Sequence, residues 1–148
     1  MKYPIGIQDF EKIIEDGYVY VDKTDLVYKL ANEGHVYFLS RPRRFGKSLL
    51  ISTLKYYFQG RKDLFKGLAI DKLEKEWAVY PVFHISFGTA NFTKPGTLDD
   101  VIDKYLSDAE NDYQIKTKVK DYGLRFKDIL KAAHKKAGRR AVVLIDEY

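Results

Sequence analysis

Apolar residues along this chain recur in two periods, one near 3.6 and one of 2, and the switching between them sketches the fold. Phe10, Ile13 and Ile14 fall at helical spacing behind Asp9, a good N-cap residue, and Gly17 closes that helix. The run YVYV (18–21) predicts a short strand. Thr24 is placed to cap a helix carrying Leu26, Val27 and Leu30, ended by Gly34. HVYFLS (35–40) reads as a buried strand, and a loop over 41–48 follows it directly. Leu49, Leu50, Thr53, Leu54, Tyr57 and Phe58 then mark one face of a helix of about three turns, stopped by Gly60.

DLFKGLAI (63–70) reads as a turn region, and YPVFHISF (80–87) as a second core strand with Pro81 at its start, where no ladder donor is needed. GTANFTKPG (88–96) is a polar loop. Thr97 with Asp100 three residues on resembles a capping box. It opens a helix with Leu98, Val101, Ile102, Tyr105, Leu106 and Ala109 on one stripe. Phe126, Ile129, Leu130 and Ala133 mark another helix, ended by Gly138. The last segment, RRAVVLIDEY, is an uninterrupted apolar strand that meets two acids. Strands separated by helices, with continuous apolar runs, predict an α/β fold whose parallel sheet is covered on both faces. No internal repeat and no linker divides the chain, which predicts one domain over residues 1–148.

Composition narrows the chemistry. A hydrophobic share of 45% over 148 residues suffices for a core, and 15% aromatics argue against disorder. There are no cysteines, which excludes disulfides, thiolate zinc sites and cysteine nucleophiles. No apolar run approaches a membrane span and the N-terminus has no signal-type apolar core, so a soluble cytoplasmic protein is expected. A net charge of +5 is compatible with nucleotides, nucleic acid or anionic surfaces and does not choose among them.

The loop chooses more firmly. Gly46, Lys47 and Ser48 complete the end of a phosphate loop, G-x-x-x-x-G-K-[ST], while Arg41 stands where the first glycine belongs. The strand before and the amphipathic helix after it are the context this chemistry needs. Free N–H groups and the helix dipole attract anions there, Gly46 lets phosphate approach closely, Lys47 reaches the β and γ phosphates, and Ser48 offers a hydroxyl to Mg²⁺. A positive φ at Arg41 would cost roughly 1–2 kcal/mol. Pro42 instead fixes a negative φ, so the loop takes a related path with Arg41, Arg43 and Arg44 around the polyanion. A solvated basic turn beside a chance G-K-S is the competing reading.

AVVLIDEY has the form of a Walker B strand: Asp146 is expected to hold Mg²⁺ beside Ser48, and Glu147 to act as general base toward water. The competing reading is a buried strand ending in two solvated acids.

Taken together, PIGIQDF (4–10), YVDKT (20–24), RPRRFGKSLL (41–50), YPVFHISF (80–87) and VVLIDEY (142–148) resemble the AAA-ATPase-like domain of bacterial proteins that usually carry a C-terminal PD-(D/E)XK nuclease-like domain. The resemblance spans nearly the whole chain, and RPRRFGKS is itself the form of loop found in that family. It implies a P-loop NTPase of the ASCE/AAA-like division, a three-layer α/β/α fold incomplete at the C-terminus, since the family continues past Tyr148. The expected strand order is 5-1-4-3-2, so a fourth strand, a sensor residue, a helical lid, an arginine finger and the nuclease-like domain are expected beyond this stretch. It further implies ATP bound along Arg41, Pro42, Arg43, Arg44, Phe45, Gly46, Lys47, Ser48 and Leu49, Mg²⁺ held by Ser48 and Asp146, and catalysis through Glu147 and Lys47. A nucleic acid partner is implied through the nuclease-like domain alone. The same residues leave open a non-hydrolysing nucleotide switch and a basic nucleic-acid-binding module. Asp22 and Lys23 receive no role beyond a strand exit and helix cap, His84 reads as a core or sheet-face histidine between Phe83 and Ile85, and His35 and His134 have no second ligand at metal spacing.

Overall fold

A computed structural model describes residues 1–34, 46–88, 93–116 and 119–146. Backbone contacts divide the chain into two units, Met1–Val79 and Tyr80–Tyr148.

The first unit is helical. Helix α1 spans Phe10–Glu15, and Asp9 caps it, its carboxylate accepting from the Lys12 amide at 3.3 Å. Helix α2 spans Thr24–Glu33, α3 Lys47–Phe58, a 3₁₀ turn Lys62–Phe65 and α4 Ala69–Leu73. Phe10, Ile13, Val27, Leu54, Leu64, Phe65 and Ile70 are buried between them. Phe10 stacks on Phe65 at 4.8 Å and meets Tyr20 edge-on at 5.1 Å. Trp77 closes the cluster, 5.3 Å from Phe65 and 5.8 Å from Tyr57. Each such ring pair contributes about 0.5–1.5 kcal/mol beyond its buried area. Gly60 ends α3 with φ +70, where a Cβ would stand 2.9 Å from the Trp77 carbonyl oxygen, so both conformation and space require glycine.

Two expectations in this unit are corrected. YVYV is not a strand: Tyr18 makes one parallel bridge to Lys2, and its amide donates to the Ile13 carbonyl at 2.9 Å instead of to a neighbouring strand. Its alternation has a different cause, since Tyr20 turns in to Phe10 while Val21 is 71% exposed. Thr24 is not the cap of α2. Lys23 holds that position, and Thr24 is the first helical residue, fully buried, with its hydroxyl turned to α4. Leu26 is exposed rather than on the packed face. The expected strand 35–40 lies outside the described residues.

The second unit alternates strand and helix: β1 (Val82–Ser86), α5 (Thr97–Asp112), α6 (Tyr122–Ala137) and β2 (Val142–Asp146). β1 and β2 pair in parallel, Val82 opposite Val142 and Ser86 opposite Asp146. Parallel strands need a long crossover, and α5 and α6 supply it. Phe83, Leu106, Ala109, Ile129 and Ala133 form the core between sheet and helices. Asp121 caps α6 by accepting from the Leu124 amide at 2.9 Å, and Gly138 ends it in the left-handed region. The content is that of an α/β arrangement with a small parallel sheet.

The capping box at Thr97 does not form. Gly96 occupies the N-cap position with φ 80, so Thr97 is already helical and its hydroxyl donates backward to the Lys94 carbonyl at 2.9 Å. Leu98 is accordingly 51% exposed. Among the described residues no helix is long and apolar enough to cross a membrane.

Candidate functional site

Gly46 is the N-cap of α3 and sits in the left-handed region at φ 79, ψ 17. Leu50 is the first residue whose amide stays within the helix, donating to the Gly46 carbonyl at 3.0 Å. The amides of Lys47, Ser48 and Leu49 therefore have no acceptor inside α3, and the helix dipole adds positive charge at that end. A Cβ built on Gly46 would meet nothing within 4 Å. What bars another residue there is φ, not crowding, and the space is open to a ligand. Lys47, Ser48 and Leu49 are half-buried.

One face of α3 is unexpectedly polar. The Ser52 and Thr53 hydroxyls both reach the Leu49 carbonyl, at 2.9 and 2.7 Å. Ser52 Oγ also accepts from the Phe10 amide at 3.0 Å and lies 3.1 Å from the Gln8 carbonyl. Tyr56 donates its hydroxyl to the Asp9 carboxylate, 3.1 and 3.2 Å from its two oxygens. Residues 8–10 are thus fastened along α3, with Asp9 serving α1 and α3 at once.

Residues 20–24 fasten from another side. Burial and the charge of Asp22 push the Tyr20 phenol up to about 12, with the Thr53 hydroxyl acting the other way. Asp22 Oδ1 accepts from the Thr24 amide (3.0 Å) and hydroxyl (2.7 Å), while Oδ2 accepts from the Ala69 amide at 2.7 Å. The Thr24 hydroxyl in turn accepts from the Ile70 amide at 3.0 Å. Partial burial pushes the Asp22 carboxyl up, but the donors from Thr24 and Ala69 outweigh it and hold the group below the usual carboxylate range. Asp22, read from the sequence as no more than a strand exit, and Thr24, expected to cap α2, cap α4 from a distance.

Asp146 closes β2 in the second unit, half-buried, with its carbonyl accepting from the Phe87 amide at 3.1 Å. Of the sequence-predicted site residues, Gly46, Lys47, Ser48 and Leu49 stand together on the first turn of α3, and Asp146 belongs to the other unit. Arg41, Pro42, Arg43, Arg44, Phe45 and Glu147 lie outside the described residues, as does His35. His134 Nδ1 lies 2.9 Å from the Arg139 carbonyl at the end of α6, a structural contact. Among the described residues no group of three or more His, Asp or Glu is arranged to hold a metal ion.

Comparison with known proteins places these features. The model of a family described as "Predicted AAA-ATPase" matches residues 4–148. An "Uncharacterized protein in vnfD 5'region" of Azotobacter chroococcum mcd 1 is 43% identical over 149 residues, covering 99% of this chain. The chain spans 29% of the length of that relative. No solved structure matches the chain.

Proposed function

The chain belongs to the family of predicted AAA-ATPases, and from that membership we propose that it binds ATP at the N-terminus of α3 and, within the whole protein, hydrolyses it with Mg²⁺. The observation that carries the reading is the start of α3: an exposed left-handed glycine, first-turn amides that have no acceptor inside the helix, and Lys47 and Ser48 immediately after it. Triphosphate oxygens would take the amides of Lys47, Ser48 and Leu49, with the Lys47 ammonium on the β and γ phosphates. Arg41, Pro42, Arg43, Arg44 and Phe45 complete this loop in the proposal, and the arginines add charge toward a polyanion.

Mg²⁺ is ordinarily held by few protein oxygens together with phosphate and water, so the Ser48 hydroxyl and the Asp146 carboxylate are donors of the right kind. Bound there, the ion would neutralise charge developing on the phosphate oxygens. Glu147 is the residue proposed to orient and deprotonate the attacking water. The parallel pairing of β1 with β2 suits the order 5-1-4-3-2, in which the acidic strand lies beside the strand preceding it. Coupling of this module to a nuclease-like domain, and through it to nucleic acid, is part of the proposal and rests on the family resemblance.

The test is thermal melting with and without ATP·Mg²⁺, together with phosphate release. Wild type is expected to melt higher with ATP·Mg²⁺, and Lys47→Ala to lose that rise. Glu147→Gln is expected to keep the rise and stop phosphate release. Nucleotide binding with no phosphate release from wild type would replace the hydrolase reading with that of a switch.

A further inference from the structure

We propose that Ser52 and Thr53 are positioning residues for this phosphate site: their hydroxyls converge on the Leu49 carbonyl of the first turn of α3, Ser52 ties that turn to the segment 8–10, and together they set where the first-turn amides and Lys47 stand. The inference rests on the reading of the α3 N-terminus as a nucleotide site.

Both residues are buried, Ser52 7% and Thr53 1% exposed, in a helix whose pattern otherwise calls for apolar contact. Ser and Thr are middling helix formers, and a core position gains nothing from a hydroxyl unless the hydroxyl is used. Here both converge on the carbonyl of Leu49, the residue next to Ser48. Bonds of this type from Ser or Thr to a carbonyl one turn back bend helices, so they fix the geometry of the turn they touch. Ser52 also satisfies the amide of Phe10, a first-turn donor of α1 that has no acceptor within its own helix.

Leu49, Ser52, Thr53 and Tyr56 are spaced i, i+3, i+4 and i+7, a single stripe. The bonds that leave the stripe go to one segment, residues 8–10: Tyr56 to Asp9, and Ser52 to Phe10 and Gln8. The first turn of α3 is therefore braced by two hydroxyls at the Leu49 carbonyl. Deleting a hydroxyl would let that turn relax while the apolar core stays filled.

The experiment measures binding of ATP·Mg²⁺ and of inorganic triphosphate by calorimetry, on the intact protein and on four variants. Ser52→Ala and Thr53→Val are expected to weaken both ligands about tenfold. Thr53→Ser, which keeps the hydroxyl, is expected to stay within about twofold of wild type. Ile129→Val, a change in the core of the second unit, should lower the melting temperature and leave both affinities unchanged. Melting losses in Ser52→Ala and Thr53→Val with wild-type triphosphate affinity would mean a merely structural role and would overturn the proposal. Lys47→Ala separates the two layers. If it leaves triphosphate binding intact, the site itself is misplaced and the proposal falls with it. If it abolishes binding while Thr53→Val binds normally, the site stands and the positioning role falls. Should Ser52→Ala fail to fold, the comparison of Thr53→Val with Thr53→Ser decides.

Discussion

At Asp22 one carboxylate takes the Thr24 amide and hydroxyl and, across 47 residues, the Ala69 amide. Its pKa is held low, so its contribution to stability is present in full above the unfolded value near 3.8 and is lost as pH falls through the lower folded value. In urea unfolding, the stability gap between wild type and Asp22→Asn should therefore be constant from pH 7 to 5 and close on further acidification. A gap that is unchanged at pH 3 would rule this out. Asp22→Ala should cost about 1 kcal/mol, the low end of the range for an orphaned donor, because water reaches the Ala69 amide. None of this was legible in the sequence. VDKT shows a capping residue and an acid, yet the donors they serve are contributed by α4, and no local pattern links residue 22 to residue 69. Ser52 was hidden for the same reason, with partners at Gln8 and Phe10.

At the scale of elements, periodicity located α1, α3, α5, α6, β1 and β2 to within a few residues, because each buries a face whose spacing it must keep. It failed where one backbone conformation decides. Gly96 takes the N-cap position from Thr97, and the single bridge at Tyr18 leaves YVYV without a strand partner. The packing of α5 on α6 also contains a device that periodicity cannot announce. Arg125, 8% exposed, donates through Nε and Nη2 to Glu110 Oε1 at 3.1 and 2.5 Å, and through Nη1 to Asp103 at 2.6 Å. Removing one partner of a buried pair leaves a charge without compensation. Arg125→Met should therefore cost about 3–5 kcal/mol, and adding Glu110→Leu should recover most of it. Chemical denaturation of the single and double variants checks this, and a double variant as unstable as the single would contradict it.

Across the whole molecule, the sequence separates the two halves of the proposed site by about a hundred residues and the structure assigns them to different units. Gly46, Lys47 and Ser48 start α3, and Asp146 ends β2. The motif residues were legible because phosphate chemistry demands specific residue types. Their joint use was an expectation from the acidic end of an apolar strand and from the family form. Among the described residues β2 pairs with β1 alone, and Val143 and Ile145 on β2 are 37% and 52% exposed. Such an edge invites pairing. Residues 1–148 expressed as a separate piece should associate with rising concentration in sedimentation experiments, and Ile145→Lys should reduce that association. An unchanged profile for the variant would place the contact elsewhere.

The central claim, that α3 and the end of β2 serve one triphosphate, is tested most directly by the rise in melting temperature on adding ATP, measured with Mg²⁺ and with EDTA. Lys47→Ala should abolish the rise under both conditions, whereas Asp146→Ala should abolish only the increment that Mg²⁺ adds. A full Mg²⁺-dependent rise in Lys47→Ala, or in Asp146→Ala, would contradict the account.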